Sequence, residues 1–381
     1  MGSCLSSPAA EDQKKPQGAT TGAANPTKTE AKATIGLTCK HPKSSLKGAD
    51  AIALASARVK QLKAKHAAIK ATAAASSGGE EPLKDINNEL LWAGSITIGT
   101  PGYDITVDFD TGSSDLFVNP NTYKPQSSST AKDAGKTFQV GYGDGTQASG
   151  EVWTDKVTVG GLTAPAQAIG VASKSTLQDD GSQGIAGMAF PSIAQTRSSP
   201  FFDSIYAANQ SSMQNLFAFG LWTSNAVMDL GYIDQSRFTG ELAYSSVDDS
   251  QGFWQTDFTV NGTQANGIVD TGTTLIIGPT DAVRSILTAA GMTIQEQDGE
   301  VYGLYDPSTN PQVTFTFGGA DYTLSPDALS FQTQGSQTVA SIVGSDMGSG
   351  GPQWICGDSF LQDVYAVFDV QNKRVGFAPK K

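Results

Sequence analysis

The tripeptide Asp-Thr-Gly occurs at Asp110-Thr111-Gly112 and again at Asp270-Thr271-Gly272, 160 residues later. Each copy ends a short apolar run, Ile105 to Phe109 in the first case and Ile268-Val269 in the second. Each is then followed at similar spacing by two apolar residues and a glycine. These are Ile185-Ala186-Gly187, 77 residues on, and Ile355-Cys356-Gly357, 87 residues on. Matched order at matched spacing implies two related lobes. A chain of 381 residues is long enough for two lobes that each bury a core. Short runs rich in Val, Ile, Thr, Phe and Tyr, set among 42 Gly and 17 Pro, predict a mainly β protein with few and short helices.

Residue types then restrict the chemistry. Both histidines, His41 and His66, lie ahead of residue 80, so the body beyond it can build neither a Ser-His-Asp triad nor a histidine metal site. Only Cys356 remains there, which rules out an internal disulfide and a Cys-His pair; its apolar context reads as a small buried hydrophobe. Carboxylates are left as the general acid and base. Residues 1–79 carry 12 Lys and Arg against four acidic residues, a net +8, whereas residues 80–381 carry 13 against 33, a net −20. An acidic body argues against nucleic acid as a partner, and the opposed charges can hold leader and body together.

One Asp-Thr-Gly is a common turn; two in matched contexts point to a carboxylate pair, Asp110 and Asp270. The glycine after each threonine lets a backbone amide approach the carboxylate with no Cβ in the way. Ser113 and Thr273 offer hydroxyls to the carboxylate oxygens, and Thr111 and Thr271 can bond across the lobe interface. One carboxylate would take a proton from water while the other protonates a carbonyl oxygen, so no metal or cofactor is required. A metal hydrolase built on Asp108 and Asp110 is the weakest alternative.

Asp110-Thr111-Gly112-Ser113-Ser114 and Asp270-Thr271-Gly272-Thr273 resemble the two signatures of the pepsin family, its fungal members in particular. The likeness runs over roughly residues 90–379. It includes Ser95 to Pro101, Tyr142-Gly143-Asp144-Gly145, Gln251 to Gln255, Val313 to Gly319, and Val367-Phe368-Asp369 leading to Arg374 to Ala378. The resemblance implies two six-stranded-type β lobes, with Asp110 and Asp270 on the floor of a cleft for extended polypeptide. It implies a carboxylate pair sharing one proton, a pattern known for aspartic proteases as a class and applied here. It further implies a hairpin flap bearing Tyr142, with Gly143 and Asp144 hydrogen-bonding the peptide opposite Gly112, Gly272 and Thr273. Pepstatin-type inhibitors should bind, and a monomer is expected. Asp144 would favour Lys or Arg before the scissile bond. Two departures stand out: Phe117 replaces the usual tryptophan, and the usual second-lobe disulfide cannot form. The rival reading is a catalytically silent peptide-binding module on the same fold.

Ahead of the body, Met1-Gly2-Ser3-Cys4-Leu5-Ser6 fits N-myristoylation at Gly2, with Cys4 placed for a second acyl chain. Residues 1–48 are expected as this motif and a disordered linker, Glu11 to Ser45 lacking apolar periodicity. Residues 49–80 are expected as a basic helical pro-segment. In it Ala55, Val59, Leu62, His66 and Ile69 recur at helical spacing, and Arg58, Lys60, Lys63, Lys65 and Lys70 form a basic surface. That helix could lie on the acidic body or on anionic membrane. If the former, Lys70 or Lys84 would reach the carboxylate pair, and the zymogen would cut itself between Ala73 and Lys84 at acid pH. Lobes at 81–224 and 225–381 complete the expected domains. Location divides two ways: the acylation motif favours the cytoplasmic face of a membrane, whereas an acid-favoured pair and sequons at Asn209 and Asn261 favour a secreted or vacuolar protein.

Overall fold

A computed structural model describes residues 33–36, 38–39, 51–73, 92–141, 147–176, 182–222, 226–348 and 351–381. The fold is mainly β and bilobal. The first lobe is an eight-stranded sheet. Trp92–Ile98, Tyr103–Asp110, Gly184–Gly187 and Leu116–Val118 lie side by side at its centre, and Leu162–Ser175, Gln147–Val159 and Lys132–Gly141 follow. Trp92–Ile98 also pairs with Gln147–Val159, curling the sheet on itself. Where one face meets the core, side chains alternate: Ile96 and Ile98 are buried while Ser95 is exposed.

The second lobe repeats the central arrangement. Tyr103–Asp110 runs parallel to Gly184–Gly187 with Asp110 opposite Gly187, and Leu116–Val118 pairs antiparallel on the other side. Correspondingly, Thr263–Val269 runs parallel to Trp354–Cys356, with Ile276–Gly278 antiparallel beyond it. The glycine ending each apolar pair is where backbone crosses backbone. A Cβ on Gly187 would stand 2.5 Å from the amide nitrogens of Ser114 and Asp115, and one on Gly357 would stand 2.2 Å from the Thr273 carbonyl. That crossing explains why the repeat reads as two apolar residues and a glycine.

Beneath both lobes, Leu216–Gly220, Val227–Leu230, Val364–Asp369, Arg374–Pro379 and Ala243–Asp248 form a base continuous with the second-lobe sheet. An aromatic cluster joins the base to the lobes. Phe217 stacks on Phe368 with centroids 5.0 Å apart, Trp254 meets Phe190 of the first lobe at 4.7 Å, and Trp254 Nε1 donates to the Met188 carbonyl at 3.0 Å.

The leader departs from its expected form at two places. Inside the stretch read as linker, Ala33–Gly36 pairs antiparallel with Val227–Leu230, and Thr38–Cys39 with Trp92 and Ala93. Runs of four and two residues carry no readable period; what orders them is the row of open hydrogen-bonding groups on a sheet edge. The helix Ala51–Ala73 buries Ala51, Ile52, Leu54, Ala55, Val59 and Leu62 against the second lobe. Arg58, expected on the basic surface of this helix, is only 6% exposed. The helix touches Lys132–Gly141 of the first lobe as well as Ser330–Gln334 and Gln337–Gly344 of the second, so burial spreads beyond the apolar stripe. Among the described residues the other α-helices span 4 to 10 residues.

Candidate functional site

The two central strands deliver Asp110 and Asp270 to the lobe interface, 2% and 0% exposed. Local geometry is the same in both. The Gly112 amide donates to Asp110 Oδ1 at 2.8 Å and the Ser113 hydroxyl to Oδ2 at 2.6 Å; the Gly272 amide donates to Asp270 Oδ1 at 2.9 Å and the Thr273 hydroxyl to Oδ2 at 2.7 Å. Each carboxylate is thereby held by one backbone and one side-chain donor from its own turn, which fixes its plane.

Threonines cross between the turns. The Thr111 amide donates to Thr271 Oγ1 and the Thr271 amide to Thr111 Oγ1, both at 3.0 Å. Their hydroxyls donate onward, Thr111 to the Val269 carbonyl at 2.9 Å and Thr271 to the Phe109 carbonyl at 2.6 Å. The strand preceding each aspartate is therefore tied to the opposite turn. The carboxylates face each other across the glycines: a Cβ on Gly112 would stand 2.5 Å from Asp270 Oδ2, and one on Gly272 would stand 2.3 Å from Asp110 Oδ1. Two buried acids in such proximity cannot both ionise cheaply, so the arrangement suits a shared proton and paired acid and base chemistry.

Sequence reasoning passed over Asp115. It accepts from the Gln195 amide at 2.7 Å, the Thr196 amide at 2.9 Å and the Thr196 hydroxyl at 2.7 Å, pinning the Ser192–Arg197 loop behind the first turn. Burial raises its carboxyl above the ordinary value against the pull of those bonds. The readable signal was an asymmetry between the copies, for Leu275 stands in the second where Asp115 stands in the first. Ser114 was likewise missed and donates to the Phe190 carbonyl at 2.7 Å.

Tyr142, Gly143 and Asp144 lie outside the described residues, as do Gly2, Cys4 and Lys84; the Lys70 side chain does too. Flanking them, Lys132–Gly141 and Gln147–Val159 are antiparallel with Gly141 opposite Gln147. Phe117 packs on Phe138 of that ribbon, with ring centroids 6.3 Å apart. Between the ribbon and the Ser192–Arg197 loop opens a cavity of about 1230 Å³ lined by Phe138, Gln139, Glu151, Ile193 and Arg197 among others. Cys356 is fully buried, and burial pushes its thiol up, away from nucleophilic use.

The helix Ala51–Ala73 packs on the walls of this centre. Its apolar face shares a cluster with Ile268, Leu275 and Ile277, which flank Asp270, and with Phe253, Tyr302, Leu304 and Phe331. His66 meets Phe253 edge-on at 5.3 Å. Lys60 Nζ donates to Asp298 at 2.8 Å and Lys63 Nζ stands 3.8 Å from Glu300. The Asp298 bond raises Lys60 above the ordinary lysine value, so on the lysine's side the contact is lost as pH rises through that raised value.

Residues 91–380 match the family model described as eukaryotic aspartyl protease. Secreted aspartyl protease 1 of Malassezia globosa is 39% identical over 308 residues, covering 79% of this chain and 76% of that protein. Aspergillopepsin-1 of Aspergillus flavus is 35% identical over 337 residues, covering 81% of each. The crystal structure of an aspartic proteinase from Irpex lacteus superposes with a TM-score of 0.67 at 26% identity, over 76% of this chain and 94% of that one.

Proposed function

The chain belongs to the eukaryotic aspartyl protease family and is an aspartic endopeptidase, and we propose that Asp110 and Asp270 are its catalytic pair. The observation that carries this is the paired geometry: two buried carboxylates, each oriented by its own turn and each lying against the glycine of the other. A water held between them would lose a proton to the ionised carboxylate as its oxygen attacks the peptide carbonyl carbon. The protonated partner would give its proton to the carbonyl oxygen. Collapse of the tetrahedral intermediate returns a proton to the departing amine and breaks the C–N bond. Thr111, Thr271 and Ser113 would keep the two acids in register. Gly112, Gly272 and Thr273 would line the peptide path, with Tyr142, Gly143 and Asp144 closing over it. The relatives are named as proteases, so the silent binding module is not favoured.

The same proposal includes synthesis as a zymogen. Its support is the helix Ala51–Ala73, which packs against Lys132–Gly141 of the first lobe and against Ser330–Gln334 and Gln337–Gly344 of the second, and whose apolar face shares a cluster with Ile268, Leu275 and Ile277 beside Asp270, where a polypeptide substrate would have to lie. Removal would require a cut between Ala73 and Lys84 favoured at acid pH. N-terminal mapping after acid incubation checks this; a chain that stays intact while fully active would contradict it. Acylation of Gly2 and Cys4, with attachment to a membrane, is carried by the residue pattern alone. Incorporation of a myristate analogue would support it, and glycan on Asn209 or Asn261 would contradict it. The catalytic reading is tested on unfolded haemoglobin or casein between about pH 3 and 7. Cleavage should be acid-favoured, blocked by pepstatin and absent from Asp110→Asn.

A further inference from the structure

A carboxylate is buried at the edge of the apolar surface beneath the helix. Glu300 opens the strand Glu300–Tyr305 and is 1% exposed. Strand alternation sets Glu300, Tyr302 and Leu304 on one face, and the last two belong to the cluster containing Ile268, Leu275 and Ile277 beside Asp270. The Tyr302 hydroxyl donates to Glu300 Oε2, the Ser345 hydroxyl reaches Oε1 at 3.5 Å, and Lys63 Nζ of the helix stands 3.8 Å from Oε1. A buried carboxylate is costly unless charge and hydrogen bonds compensate it. Here the neutral donors come from the body, whereas the ion-pair partner comes from the helix.

We propose that Glu300 is a specificity-determining residue of the protease, selecting a Lys or Arg side chain in the polypeptide it cleaves. Lys63 occupies that seat in the full chain. Once the helix has left, Tyr302 and Ser345 still orient the carboxylate but its cation is missing. A substrate cation replaces it, with the aliphatic stem lying along the apolar face of Tyr302 and Leu304. Glu300 lies on a strand of the second lobe, whereas Asp144 falls in sequence between two strands of the first, so the two acids would read different substrate positions. This inference rests on the reading that the surface under the helix binds substrate.

The full chain is activated at acid pH and assayed on a positional-scanning peptide set, with Lys, norleucine or Glu placed in turn at each position around the scissile bond. The wild-type protease should prefer Lys over norleucine by about tenfold in kcat/KM at one position, with Glu the poorest, as a desolvated charge pair provides. Raising salt from about 0.05 M to about 1 M should narrow that ratio, an outcome read on the wild type alone. In Glu300→Gln the Lys/norleucine ratio should fall to about one, and Glu300→Asp should keep part of it. Using a ratio separates selection from any general loss of activity. Equal cleavage of the Lys and norleucine peptides by the wild type, or an unchanged ratio in Glu300→Gln, would overturn the proposal. No cleavage of any peptide by a processed wild-type chain would overturn the catalytic reading and this one with it.

Discussion

Glycine decides how closely the two acids approach. A methyl group at residue 272 would stand 2.3 Å from Asp110 Oδ1 and one at residue 112 would stand 2.5 Å from Asp270 Oδ2, inside any tolerable contact. Gly272→Ala and Gly112→Ala should therefore each lower kcat/KM by at least about 100-fold, since displacements near 1 Å cost that much, while circular dichroism stays native. Near-normal activity in either variant would refute the close approach. A second residue sets a pH dependence. Asp203, half-buried in the helix Phe201–Asn209, is raised to about 6 by burial. Its folded-state value exceeds its unfolded one, so the folded chain binds the proton more tightly. Stability from this group is present at acid pH, declines as pH rises through about 6, and stays lost above it. Denaturant unfolding in an Asp110→Asn background should show Asp203→Asn losing about 1–3 kcal/mol less than its parent between about pH 4 and 7. Parallel pH curves would remove Asp203 from the account.

Among the elements, the helix Ala51–Ala73 has the most to lose from a single change. Val59 and Leu62 are 0% and 5% exposed against the second-lobe cluster. Val59→Asp places a carboxylate in that apolar contact and should loosen the helix from the body. Self-processing at acid pH should then quicken severalfold, since burying an unpaired charge costs several kcal/mol; an unchanged rate would mean the helix does not limit access. This helix was legible from the 3.6-residue spacing of Ala55, Val59, Leu62 and His66, because a helix packed on a surface must repeat at that period. The burial of Arg58 was not legible, since period reports a stripe and not the depth of a groove. Strands at Ala33–Gly36 and Thr38–Cys39 were hidden for a different reason: their order comes from distant edge strands. The donors to Asp110 and Asp270 were readable because those four bonds are local, within three residues. Asp115 escaped notice because its partners lie 80 and 81 residues away.

At the scale of the whole molecule, two lobes must be held so that neither carboxylate drifts. The crossed threonines do this at the centre, and the cluster of Trp254, Phe190, Phe217 and Phe368 does it beneath. Trp254→Ala removes a buried indole that contacts both, so a loss of about 3–5 kcal/mol is expected in chemical denaturation. A loss under about 1 kcal/mol would mean that the lobes are held elsewhere. What joins all three scales is that catalysis needs both halves of the repeat. The most direct test measures casein cleavage at acid pH by Asp110→Asn, Asp270→Asn and the double variant, each checked for native fold and assayed after removal of the helix. Either single substitution should abolish cleavage as completely as the double one, because the acids act as a unit. Substantial cleavage by either single variant would contradict the paired mechanism.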